Sequence, residues 1–169
     1  WLLPAAEAKA VSGPWRQARW VGGGLLAVAS GSARVAHDAD GELVQREGIA
    51  GVELVDTARW RAYDLHATAS TVGYQEGRLL LSGGTWYSDA TSSVSRGVGL
   101  TVYGPGNRRP LHLLGRQFVS QVTVHGDLAY VWLTRPQSGA WAVVDLRDGR
   151  TLHTEDGDPP TLLLGAASW

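Results

Sequence analysis

The chain has 169 residues, 44% of them hydrophobic, enough to bury the core of one ordinary domain. Its 15 basic and 16 acidic residues leave a net charge of −1, so bulk electrostatics selects neither a phosphate backbone nor an anionic membrane. The absence of cysteine excludes disulfides, thiolate catalysis and cysteine metal sites, and Lys9 is the single lysine available to any mechanism.

Residues 1–15 form an N-terminal segment in which 5–11 is the one brief helix candidate. From residue 16 onward, three stretches share the same order of turns and apolar runs, aligned by pattern rather than by identity. The first, residues 16–66, places candidate strands at 16–21, 25–29, 51–56 and 61–65, with Gly22-Gly23-Gly24 at the first turn. The second, residues 67–115, repeats this at 71–74, 78–82, 98–103 and 110–114, with Glu76-Gly77 at the turn. The third, residues 116–156, has strands at 121–125, 128–133, 141–146 and 151–154, with Gly126-Asp127 between the first two. Residues 157–169 have the look of the first strand of a further unit.

Each run is short, bounded by Gly, Asp, Asn or Pro, and nearly continuous in apolar residues rather than alternating. A sheet that packs on both faces requires that, and the longest runs fall far short of the ~20 residues of a membrane helix. Aligning Val55, Val102 and Val144 gives spacings of 47 and 42 residues, inside the ~40–50 residue range of propeller blades. The expectation is therefore an all-β chain of about three four-stranded antiparallel blades of a β-propeller. A closed ring needs at least ~4 blades, so the chain is expected to be a fragment of a larger ring, completed by further blades of the same chain or by self-association. With the strands of each blade labelled a to d, the a–b and c–d turns are tight. The b–c connections, roughly 31–50, 85–97 and 134–140, carry the insertions and make one face elaborate.

In the third repeat, Val124-His125-Gly126-Asp127-Leu128-Ala129-Tyr130-Val131 followed by Ala142-Val143-Val144-Asp145-Leu146 resembles the bacterial propeller repeats named for a Leu-Val-Ile-Val-Asp core. Asp145-Leu146-Arg147-Asp148-Gly149-Arg150 is also similar to pyrroloquinoline-quinone-like propeller repeats. The first repeat keeps Leu54-Val55-Asp56, while the second has Tyr103 where the pattern has aspartate. The resemblance implies a blade fold, an exported bacterial setting, periplasmic or extracellular, and a scaffolding or binding role. It carries over no catalytic residue and no cofactor.

Candidate sites are few. Asp38, Asp40 and Glu42 precede or flank Gly41 as calcium-loop ligands do, but counting from Asp38 the twelfth position is Ile49 rather than glutamate, which rejects an EF-hand and leaves a loose cation site. His125 beside Asp127 is explained by turn geometry. Two of His66, His112 and His153 recur at equivalent positions, which argues for packing. No phosphate loop, dinucleotide fingerprint or Gly-x-Ser-x-Gly elbow occurs. Of the eight tryptophans, Trp20, Trp132 and Trp141 are expected to wedge between blades, each of the latter two costing about 3–5 kcal/mol on truncation. Trp86, Tyr87 and Asp89 open a long b–c loop and form the candidate ligand-binding surface. Two function classes follow: a non-catalytic scaffold binding a protein or a polysaccharide, with no nucleic-acid partner, or part of a propeller enzyme, quinone-dependent or glycoside-active, needing further blades.

Overall fold

The computed structural model describes residues 9–10, 15–37, 39–88, 93–105, 109–135 and 138–158. Among them every regular element is a strand, in the order β1 (Lys9–Ala10), β2 (Trp15–Gly22), β3 (Leu25–His37), β4 (Leu43–Asp56), β5 (Arg61–Asp64), β6 (Thr71–Gln75), β7 (Arg78–Ser82), β8 (Gly84–Ser88), β9 (Ser93–Gly97), β10 (Leu100–Tyr103), β11 (Leu111–Leu113), β12 (Phe118–His125), β13 (Leu128–Thr134), β14 (Gly139–Asp145) and β15 (Thr151–Asp156). Most of the helix candidate at residues 5–11 lies outside the described residues, and its Lys9–Ala10 is strand, paired with β5. No helix among the described residues is long and apolar enough to cross a membrane.

All registered strand pairs are antiparallel, and they build a β-propeller arrangement of four-stranded sheets. Three sheets are successive blades, β2-β3-β4-β5, β6-β7-β10-β11 and β12-β13-β14-β15. The fourth was not foreseen as a sheet. Beyond a register shift between Ala29 and Gly31, residues 31–37 of β3 and 43–49 of β4 continue as a long hairpin. The hairpin's β4 edge pairs with β8, which pairs with β9, so the order is β3-β4-β8-β9. The sheets thus number four rather than about three, because the b–c insertions of the first two blades are hairpins that satisfy each other's backbone hydrogen bonds.

Two large apolar layers hold the blades together. Ala27, Ala29, Val52 and Leu54 of the first blade meet Val72, Leu79 and Leu81 of the second. Leu80, Leu100 and Val102 of the second meet Ala129, Val131, Leu133, Ala142 and Val144 of the third. Leu79 and Leu81 thus face one way and Leu80 the other, so every side chain of this central run is used, as continuous hydrophobicity demands.

The registers revise one alignment. Val55 pairs with Leu26 and Val144 with Ala129, the second residue of β3 and β13, but it is Tyr103 that pairs with the second residue of β7, Leu79. Tyr103, not Val102, is the equivalent of Val55 and Val144, and Gly104 stands where the other blades carry aspartate. A one-residue shift reverses the face. Val102 accordingly packs toward the third blade and Tyr103 toward the first, where its half-buried phenol donates to Leu65 O at 3.2 Å and desolvation raises its pKa.

The aspartates ending β4 and β14 have a structural task. The Asp145 carboxylate accepts from the Arg147 side chain (Nη2, 2.5 Å) and backbone N–H (2.9 Å), and these contacts hold its pKa at about 2 against the opposing effect of burial. Asp56 repeats the motif with the Arg59 side chain and the N–H groups of Arg59 and Ala58, its pKa also lowered. Because the folded pKa of Asp145 lies below the ordinary ~3.9 of an aspartate, its contribution to stability is present above pH ~4 and lost as pH falls through about 2. Urea midpoints measured between pH 5 and pH 2 are expected to fall less for Asp145→Asn than for the unaltered chain.

Candidate functional site

The first strands of the three blades, β2, β6 and β12, line a groove of about 450 Å³. Glutamines tie these strands together. Val72 N–H in β6 donates to Gln17 Oε1 of β2 at 2.6 Å. Gln75 in β6 accepts from Val124 N–H at 2.7 Å and donates to Val122 O at 3.0 Å, both in β12. Each bond satisfies inner-strand backbone that the blade's own ladder leaves unpaired. Groove-lining side chains include Arg19, Trp20, Tyr74 and Gln121, and among the described residues no carboxylate, histidine or lysine lines the groove. That set offers stacking and hydrogen bonding.

At the mouth of the second and third blades, Arg78 Nη2 lies 2.9 Å from Asp127 Oδ1, and Gly126 N–H donates to Glu76 Oε2 at 2.9 Å. Asp127 is therefore bound to the preceding blade's arginine, and His125 faces Glu76 at 3.9 Å, so these turn residues act as an inter-blade tie.

The second candidate surface is the insertion sheet. Trp86 and Tyr87 lie in β8, not in a loop, aligned with Glu47 and Arg46 of β4. Consecutive strand residues point to opposite faces. Trp86 shares its face with Val35 and Leu43, which are 62% and 57% exposed, and Tyr87 shares the other with Val44 and the exposed Val94. The sequence cluster is thereby split across two faces, and Asp89 lies outside the described residues. The hairpin pairing between β4 and β8 joins residues some forty positions apart, a link for which the chain carries no local signal.

Asp38 also lies outside the described residues, whereas Asp40 and Glu42 are exposed at the turn between β3 and β4. No group of three or more potential metal ligands occurs among the described residues. The histidines, two of which were expected to pack, are all exposed: His66 and His112 lie at the surface, and His153 meets Trp141 across β14 and β15 with ring centroids 4.7 Å apart and the planes tilted. His112 and His153 lie within β11 and β15, the outermost strands of their sheets.

The tryptophans expected as wedges are also placed differently. Trp20 is 61% exposed. Trp132 and Trp141 are directly opposed in β13 and β14, half-buried, on the face of the third blade away from the second. Gly139 makes room for the Trp132 indole, since a Cβ there would stand 2.8 Å from its Cζ2. Gln121 and Glu155 extend the same row at either side. No family model matches the chain, and no curated protein or solved structure does, so blade geometry carries its assignment.

Proposed function

We propose that this chain is a non-catalytic β-propeller scaffold that binds a protein or an extracellular polymer through the insertion sheet on its b–c side. The observation that carries the reading is that sheet itself: two insertions from different blades, cross-paired through β4 and β8, present Val35 and Leu43 to solvent on the same face as Trp86. Exposed apolar side chains on a hydrogen-bonded platform are preorganised, and a partner loses little entropy in ordering them. Kinship with the Leu-Val-Ile-Val-Asp or quinone-type repeats, and an exported bacterial setting, belong to the same proposal and rest on the motif ending at Asp145. The enzyme alternative would require an acid–base pair from residues other than those lining the groove.

A direct test screens the chain against a panel of soluble polysaccharides and a displayed peptide library. Retained ligands are expected to lose at least tenfold affinity with Leu43→Asp combined with Trp86→Ala, while far-UV circular dichroism stays unchanged. Ligands whose binding is indifferent to both changes would overturn the reading.

A further inference from the structure

Among the described side chains, Arg19 and Arg78 are the arginines that are half-buried rather than exposed. Arg78 is matched: its Nη2 lies 2.9 Å from Asp127 Oδ1 and its Nη1 3.8 Å from Glu76 Oε2. Arg19 has no carboxylate and no other hydrogen-bond partner among the described residues. Drawing a guanidinium partly out of water without a counter-charge costs free energy that no described neighbour offsets.

That charge lines the groove between the first strands of the blades. Arg19 pairs with Ala27 and Gln17 with Ala29, so both share the face of β2 that packs on the second blade. Tyr74 pairs with Leu79, on the face of β6 turned back toward the first blade, so Arg19 and Tyr74 flank one joint. The Gln17 bond to Val72 N–H already fixes the strands of this joint, and Gln75 is committed to β12. Gln121, whose amide has no partner among the described residues, and Trp20, 61% exposed, complete the lining that a ligand would meet.

This lining sets the chemistry of what fits. One unmatched cation, with no carboxylate, histidine or lysine beside it among the described residues, calls for one negative charge. A carboxylate supplies that charge and matches the guanidinium fork with two oxygens, whereas a phosphate dianion would exchange an unmatched cation for an unmatched anion. The aromatic rings and the free amide suit a ring that carries hydroxyls on its edge and C–H groups on its face. The volume of about 450 Å³ is within the ~300–1,000 Å³ of small-molecule sites. We propose that the groove binds a uronic acid, a sugar ring bearing one carboxylate, with Arg19 on the carboxylate, Gln121 on ring hydroxyls and Tyr74 and Trp20 against the ring. The site is distinct from the insertion sheet and does not depend on that sheet being a ligand platform.

Isothermal titration calorimetry with sodium glucuronate is expected to show saturable binding, with glucose, acetate and inorganic phosphate each at least about tenfold weaker. No saturable binding of glucuronate overturns the proposal. Acetate as tight as glucuronate would mean an anion site without a sugar, glucose as tight would leave Arg19 without a role, and phosphate as tight would break the single-charge match; each overturns it. Arg19→Met keeps the apolar stem and deletes the charge. It is expected to weaken glucuronate at least about tenfold while the urea midpoint of the ligand-free chain stays the same or rises, because no ion pair is lost. Unchanged binding overturns the proposal, and so does a fall in the midpoint, which would make Arg19 a structural tie between blades. Arg19→Lys, which retains charge without the fork, is expected to bind glucuronate severalfold more weakly than the unaltered chain, and equal affinity overturns the two-oxygen contact.

Discussion

Leu133→Ala is expected to destabilise the chain by about 2–5 kcal/mol, while the neighbouring Trp132→Ala costs less than half as much. Leu133 is 1% exposed and sits in the layer between the second and third blades, with Leu100, Val102, Val131 and Ala140 in the same cluster. Its truncation removes transfer free energy and leaves a cavity that two sheets cannot both close around. Trp132 points the other way, over Gly139, and its indole is half open to solvent, so truncation removes only part of a large contact. Denaturant unfolding with unchanged m values would check the pair. Equal costs would place Trp132 in the inter-blade core and reverse the face assigned to β13.

Gly97→Ala is expected to reach the upper part of the ~1–3 kcal/mol range for overpacking, and to act on the joint between the insertion sheet and the third blade. A Cβ on Gly97 would collide with the backbone of Gln117 and Phe118, which no rotamer change relieves. The same crossing is tied by Gly99 N–H to Gln117 O and Val98 N–H to Gly83 O, both 3.0 Å, and by the bridge of Gly83 with Val119. Displacing β9 therefore strains β8 and the start of β12 together. Amide hydrogen exchange in the variant should rise in β8 and β9 while β6 and β7 keep their protection, whereas uniform loss of protection would mean that the insertion sheet is integral to the blades.

The sequence by itself determined what short-range chemistry encodes. Apolar runs such as Leu79-Leu80-Leu81 specify strands buried on both faces, and the turns at Glu76-Gly77 and Gly126-Asp127 specify hairpins, so the antiparallel blades and their order were legible. What escaped was decided by contacts between segments far apart in the chain. The pairing of β4 with β8 turns two apparent loops into a sheet and places Trp86 and Tyr87 on opposite sides of it. The register of β10 on β7 moves the repeat by one residue and exchanges the roles of Val102 and Tyr103. The inner-strand groove, with Gln17 and Gln75 as its ties, exists only when β2, β6 and β12 converge. A tryptophan in an apolar strand announces burial but not which blade will cover it. For Trp132 and Trp141 that direction follows from the alternation of β13 and β14 once Val131 and Ala142 face the second blade. Strand periodicity is local, whereas face and register are settled by which sheet packs on which.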